Sequence, residues 1–299
     1  MSNPLHASCY ADRAVQCAAE VLENVRVARD TFRLRVAAPE IARRVVPGQF
    51  LMLRLAGCND PLIGRPLALY DTVDGSSGTP QRAFPTAEPN AVDVVYLVKG
   101  KFTSRLAGYV PGQKIDVWGP LGNGFTAAPV EQLIMVAGGI GQTPFVALAQ
   151  EALGGRSYGD SSRTAARVHR VTLCYGARSA EYHAGLEDFE RAGVDVRLAT
   201  DDGSRGHHGL VTDLLKQALA EGSHSRQVVC CGPEPMMEAA AKIALAANIP
   251  CQVSLETPMA CGIGICFTCV AKVRDASGEW DYKRTCVEGP VFDAAKLEW

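Results

Sequence analysis

Four cysteines near the end of the chain constrain its folding most: Cys261, Cys266 and Cys269 in one short loop, then Cys286, spaced C-x4-C-x2-C-x16-C. The loop reads Met259-Ala-Cys-Gly-Ile-Gly-Ile-Cys-Phe-Thr-Cys-Val270. A loop that turns three sulfurs toward one centre must coil tightly. Gly262 and Gly264 allow this, because glycine reaches positive φ without a Cβ penalty. The first three cysteines match the plant-type spacing of a 2Fe–2S cluster, which takes four thiolates. Zinc sites usually pair one C-x2-C with another, or with histidines. Here the second half offers only Cys286, and no histidine follows His224. Disulfides call for an oxidising compartment. The readings that stand are a cluster, then zinc, then buried thiols. A cluster implies one-electron chemistry.

The 299 residues leave room for two domains and a small appendix. A net charge of −2 gives no ground for nucleic acid or an anionic membrane as partner. No apolar run approaches a membrane span. Residues 1–15 lack the basic-then-apolar layout of an export signal, so a cytoplasmic setting is expected. In that setting the eleven cysteines point to metal ligation and thiols rather than disulfides. Outside the loop, most of Cys9, Cys17, Cys58, Cys174, Cys230, Cys231 and Cys251 read as small buried hydrophobes.

Residues 18–125 read as all-β. Short apolar runs at Val25–Val27, Thr31–Val36, Gln49–Leu55, Leu67–Tyr70, Val92–Val98 and Lys114–Trp118 recur between turns such as Pro47-Gly48 and Pro111-Gly112. That spacing predicts a closed antiparallel barrel. The Gly, Ser and Pro-rich stretch Asp74–Asn90 reads as a flexible insertion. From about 126 to 250 strands alternate with helices. Strands are expected at Leu133–Ala137, Val171–Tyr175, Val194–Leu198 and Gln227–Cys231. Helices are expected at Phe145–Leu153, Leu186–Ala192, Leu210–Leu219 and Pro235–Ala247. Such alternation predicts a parallel sheet covered on both faces. Gly154–Ala166 reads as a mobile polar loop, and residues 251–299 as the cysteine module. The fold class is a multidomain α+β chain: antiparallel barrel, parallel α/β domain and small C-terminal module.

In Gly138-Gly139-Ile-Gly141-Gln-Thr143-Pro144 a strand ends, the chain turns on glycines and a helix starts. Thr143 is placed as N-cap and Pro144 at the first helical position. A helix start of this kind offers free N–H groups to a phosphate. A plain strand–turn–helix joint also uses glycine, and the turn alone suits NAD or NADP. Cys231-Gly-Pro-Glu-Pro235 closes the last strand of the sheet, at the end where open α/β sheets bind ligands. A buried thiol before a turn is the simpler alternative. Gly64-Arg65-Pro66-Leu67-Ala68 opens a barrel strand with an arginine, the natural bidentate partner of a pyrophosphate, or else an ordinary surface cation. Gly119–Phe125 lies between the two domains as a loop or linker.

These elements resemble the ferredoxin–NADP reductase superfamily and, within it, the electron-transfer subunits of NAD-dependent (type B) dihydroorotate dehydrogenases. The resemblance covers about residues 20–299. It rests on Arg65-Pro66, Val98–Ser104, Gly119–Phe125, Gly138–Gly141, Tyr175–Arg178, Asp201–Ser204, Cys231–Met236, Ser254–Glu256, Met259–Gly264 and the ending Glu288–Asp293. It implies FAD on the barrel, NAD on the α/β domain as electron acceptor and a 2Fe–2S cluster in the module. Arg65, Pro66, Leu67 and Ala68 would line FAD, with Arg65 on its pyrophosphate, joined by Val95, Tyr96, Leu97, Phe102 and Thr103. Gly138, Gly139, Gly141 and Thr143 would cradle NAD, with Cys231 near the nicotinamide. Cys261, Cys266, Cys269 and Cys286 would hold the iron. Two positions depart from the family pattern. Ala68 stands where Ser or Thr is usual, and Phe102 replaces the second glycine of a Gly-Lys-Gly-Thr turn.

The implied activity belongs to an oxidoreductase subunit of pyrimidine biosynthesis. A separate FMN-containing catalytic subunit oxidises dihydroorotate, and this chain carries the electrons through cluster and FAD to NAD+. It needs no catalytic acid or base. The assembly implied is a heterotetramer. Ile263, Ile265 and Phe267 beside the cysteines are candidates for docking the partner. Two other readings stand beside this one. One is another flavin and iron–sulfur reductase subunit, such as that of a ferredoxin:NADP transhydrogenase or a sulfhydrogenase, whose cluster loop often has an Asp ligand. The other is a zinc-stabilised nucleotide-binding regulatory module.

Overall fold

The computed structural model describes residues 11–74, 88–222 and 225–299. Most of the insertion expected at 74–90 lies outside them. The first part of the chain runs through β1 (Val15–Ala28), β2 (Thr31–Ala37), a short helix α1 (Pro39–Ala42), β3 (Phe50–Leu55), β4 (Arg65–Asp74), β5 (Pro89–Leu97), α2 (Lys101–Leu106) and β6 (Lys114–Leu121). Its strands close an antiparallel barrel in the order β1-β2-β5-β4-β3-β6. Side chains alternate across each strand. On β3, Leu51, Leu53 and Leu55 fill the barrel, whereas Phe50 and Met52 enter a second core outside it. Both faces of β3 are covered, which explains its nearly unbroken apolar run.

The second part alternates as expected: β7 (Gln132–Gly138), α3 (Phe145–Ala152), β8 (Arg170–Ala177), α4 (Leu186–Arg191), β9 (Asp195–Thr200), a two-residue β10 (His207–His208), α5 (Val211–Ala220), β11 (Arg226–Cys231), α6 (Glu234–Ala246) and β12 (Cys251–Ser254). A hairpin follows, β13 (Val270–Arg274) with β14 (Trp280–Arg284), and then β15 (Val291–Asp293). The large sheet has the order β10-β9-β8-β7-β11-β12-β15 and is parallel except for β15. Leu133, Met135 and Ala137 of β7 pack under α3 and α4, and Ile134 and Val136 under α5 and α6. The chain leaves β7 toward β8 on one side and later returns to β11 on the other. That reversal opens a crevice above the ends of β7 and β11, where such sheets take ligands.

The parts are tied together by specific polar contacts. Tyr70 on β4 donates to Asp188 on α4 at 2.6 Å. Asp71 accepts from Tyr158 at 2.7 Å and from Gln150 at 2.9 Å. Tyr158 is buried, so the stretch expected to be a mobile polar loop is anchored at its centre. β12 and β15, both beyond residue 250, are hydrogen-bonded into the large sheet. Asn123, in the loop after β6, donates to the Val291 carbonyl at 2.8 Å and accepts from Val291 N at 3.1 Å. Gly119–Phe125 is thus a docking strip for the C-terminal segment.

Candidate functional site

The cysteine loop lies against the barrel. An added Cβ at Gly262 would stand 2.6 Å from Met52 Cγ, so only glycine lets the loop pack this closely. Gly262 (φ 73°), Gly264 (φ 85°) and Phe267 (φ 54°) give the coil its left-handed steps. Trp118 on β6 donates its indole N–H to the Cys261 carbonyl at 3.0 Å. Arg284, buried, donates to the Gly264 carbonyl at 2.9 Å and stacks over Phe267, 4.9 Å from the ring centre. Thr285 N bonds the Cys269 carbonyl at 2.7 Å, which holds the Cys286 segment against the loop.

The sulfurs come as two pairs. Cys261 and Cys266 stand 3.3 Å apart, and Cys286 donates to Cys269. A single zinc ion would gather all four on one point. Two irons bridged by sulfide need two thiolates each, which is what two pairs supply. Ile263 N points at the Cys261 sulfur at 3.4 Å. For Cys266, burial acts upward, but the Thr268 hydroxyl and N–H outweigh it and bring the thiol down to about 6. For Cys269, the hydrogen bond from Cys286 dominates over burial and brings it down to about 6. Cys286, donating that bond, is pushed up. One sulfur in each pair is therefore poised to ionise, and an incoming metal displaces the remaining protons.

The residues expected at FAD fall on one end of the barrel. Arg65 is exposed; its guanidinium bonds the carbonyls of Ile63 (3.0 Å) and Gly64 (3.1 Å) and has no acidic partner among the described residues. It keeps donors free for an anion. Pro66, Leu67 and Ala68 follow, half-buried, with Ala68 opposite Phe50. The second expected segment lies alongside, because Lys101 and Arg105 both pair with Asp60. Thr103 accepts from Lys99 N at 3.0 Å and Gly100 N at 3.1 Å, folding the turn on itself. Phe102 and Tyr96 turn their rings into the barrel core, where Tyr96 donates to Asn24 at 3.0 Å. From there they offer a ligand backbone rather than ring. Val95 is buried in the core shared with α3, and Leu97 is half-buried.

At the crevice, Gly138–Gly141 lies against the end of β11. An added Cβ at Gly141 would fall 2.2 Å from the Cys231 carbonyl oxygen, and one at Gly138 2.6 Å from Met236 Sδ. Gly139 differs: φ is 54° and an added Cβ would meet open space. It is the turn's open face. Thr143 is not the expected N-cap. Gly139–Gln142 forms a 3-10 turn, the Thr143 hydroxyl donates to the Ile140 carbonyl at 2.6 Å, and Pro144 occupies the cap position of α3. The 3-10 turn consumes the residues that a side-chain cap would need. Cys231 stands in register with Ser254 on β12. Burial first, and the Glu256 carboxylate second, push its thiol up to about 12, so it is neutral at ordinary pH. Met52, Trp118 and Arg284 escaped the sequence reading; the position of Arg284, two before Cys286, is the one local signal.

The comparisons agree with this geometry. The family described as the iron–sulfur cluster binding domain of dihydroorotate dehydrogenase B matches residues 256–298, and the oxidoreductase NAD-binding domain family matches residues 135–242. The electron transfer subunit of dihydroorotate dehydrogenase B (NAD(+)) from Desulforamulus reducens is 35% identical, over 94% of this chain and 97% of its own. The corresponding subunit from Geobacillus kaustophilus is 34% identical, over 91% and 94%. Among solved structures, one of an NADH-dependent reduced ferredoxin-NADP oxidoreductase superposes with a TM-score of 0.76 at 27% identity, over 95% of this chain and 90% of that one. Phthalate dioxygenase reductase shares the fold, with a TM-score of 0.56 at 16% identity over 91% and 77%. The fold class, the oxidoreductase character and the cofactor set of FAD, 2Fe–2S and NAD read from the sequence all stand. Identity of this extent over nearly the whole length makes the chain a member of the family of dihydroorotate dehydrogenase B (NAD(+)) electron transfer subunits.

Proposed function

We propose that this chain carries electrons from a separate FMN-containing catalytic subunit, which oxidises dihydroorotate, to NAD+, in a cytoplasmic heterotetramer. Cys261, Cys266, Cys269 and Cys286 hold the 2Fe–2S cluster. Arg65 meets the FAD pyrophosphate, with Pro66–Ala68, Val95–Leu97 and Phe102–Thr103 alongside. Gly138, Gly139 and Gly141 receive the NAD phosphates, and Thr143 supports their turn from beneath. Cys231 stays a neutral thiol beside the nicotinamide. When bound, the cluster supplies one-electron chemistry, nicotinamide two-electron chemistry, and flavin both. The protein's part is distance, orientation and exclusion of water.

One observation carries the reading: four sulfurs in two pairs, on a loop seated directly on the barrel end that presents Arg65. The loop exposes Ile265 (73%) and Phe267 (60%), apolar side chains suited to a partner subunit. The superposition on the ferredoxin-NADP oxidoreductase favours a second reading, a subunit of that kind of enzyme. The test is to express the chain with an FMN-containing dihydroorotate dehydrogenase subunit. The expected product is a brown complex with flavin and about two irons per chain, the 2Fe–2S content, that reduces NAD+ with dihydroorotate. Cys266→Ser is expected to keep FAD and lose NAD+ reduction. Normal turnover by that variant would sink the relay, and a colourless zinc protein would sink the whole reading. Turnover with ferredoxin but not with dihydroorotate would select the second reading.

A further inference from the structure

We propose that Trp118 is the positioning residue that locks the cluster loop to the flavin end of the barrel. The inference rests on the cofactor sites proposed above and goes beyond them, because Trp118 belongs to neither. It points outward from β6, between Ile115 and Val117, which face the barrel interior, and the cysteine loop. Its cross-strand neighbour is Met52, the residue against which Gly262 closes. The indole N–H is spent on the Cys261 carbonyl at 3.0 Å. The far edge of the same ring lies over Gly64, where an added Cβ would stand 2.8 Å from Trp118 Cη2. One rigid side chain thus touches the backbone of a cluster cysteine and the backbone immediately before Arg65.

The physical consequence follows from what the ring fixes. Cys261 and Cys266 form the half-exposed sulfur pair, the one with less packing around it. A hydrogen bond to the Cys261 carbonyl removes freedom from that half of the loop. The contact at Gly64 sets its separation from the flavin strand. Electron transfer between two bound centres depends steeply on separation, so a residue that fixes it governs the rate without touching either centre. Trp is the residue type that does both jobs, since it has a large flat ring and a donor at its edge.

The test compares Trp118→Phe and Trp118→His in the full complex. Phe keeps an aromatic ring on β6 and lacks the donor; His keeps a ring N–H. FAD and iron content after purification serve as the check on folding. The first readout is the rate of iron release to a ferrous chelator, with excess ascorbate present to reduce the released ferric iron. The second is the rate at which the cluster becomes EPR-visible after mixing with NADH, with flavin bleaching in the same experiment as the reference step. Iron release is expected to speed up about fivefold in Trp118→Phe, the shift one lost hydrogen bond gives. Trp118→His should lie between that variant and wild type, and cluster reduction should slow in the same order relative to flavin bleaching. Rates within twofold of wild type in both variants would overturn the inference while leaving the cofactor assignment intact. A wild-type complex with no 2Fe–2S signal would overturn the assignment, and this inference with it.

Discussion

Two glycines of one turn do different work. At Gly141 an added Cβ would collide with the carbonyl group of Cys231 and with Gly232 Cα, all of it backbone. Nothing flexible is available to yield, so the turn or the end of β11 must move. Gly141→Ala is expected to destabilise by about 1–3 kcal/mol, the range for overpacking. It should also weaken NADH binding, because Cys231 shifts with the strand. At Gly139 the backbone is left-handed but the space is open. Gly139→Ala is expected to cost about 1–2 kcal/mol of backbone strain while obstructing the face a dinucleotide approaches. Denaturant titration and NADH titration of both variants separate the cases. Loss of affinity per unit of lost stability should be larger for Gly139→Ala, and the reverse order would move the nucleotide off the turn's open face. Both glycines were legible in the sequence as a turn; their division of labour was not, since it depends on what β11 brings alongside. Thr143 shows the same limit. A Thr before Pro suggests a cap, yet whether a 3-10 turn intervenes is decided by the glycines' surroundings.

At the scale of elements, the strands and helices of the sheet were legible because each is buried and periodic. The helix α2 was not, since six residues ending in a turn carry no period. The outward residues of β3 and β6 drew no reading from the sequence, for a physical reason. Whether Met52 and Trp118 face water or a module is settled by chain more than a hundred residues away. The link between β8 and α4 offers a test of a buried element. His183 lies in it, 7% exposed, with its ring edge-on to Tyr175 at 4.7 Å. Burial first, and Arg205 further off, pull its imidazole below the ordinary 6.5. The unfolded chain therefore binds a proton there more readily than the folded one. The stability His183 contributes is complete above about pH 6.5 and is lost as pH falls toward the depressed folded value. Thermal unfolding should move to lower temperature between pH 7.5 and 5.5, and His183→Phe should flatten that slope. An unchanged slope would show that other groups set it.

For the whole molecule, the open matter is whether the cysteine module is an appendage or part of the fold. Its apolar underside meets Phe50, Met52 and Leu121, which are 4%, 0% and 2% exposed. Fully burying a side chain of this kind is worth about 1.5–3 kcal/mol, and the module supplies part of that at each of the three. The module's last strand, β15, also pairs with β12 and closes that edge of the large sheet. A chain ended after Leu255 would uncover the three side chains and leave β12 as a bare edge, the arrangement that invites strand-to-strand aggregation. Such a truncation is therefore expected to aggregate, although barrel and sheet each retain their own core. Met52→Gln and Leu121→Thr in the truncated chain should restore part of its solubility by making the uncovered face polar, and should destabilise the full-length protein. Size-exclusion chromatography and thermal unfolding of the four proteins decide it. If the plain truncation runs as a stable monomer with an unchanged unfolding temperature, the module merely rides on the reductase. If it aggregates and the polar pair rescues it, cluster and flavin are held at fixed separation by the same apolar contact that completes the fold.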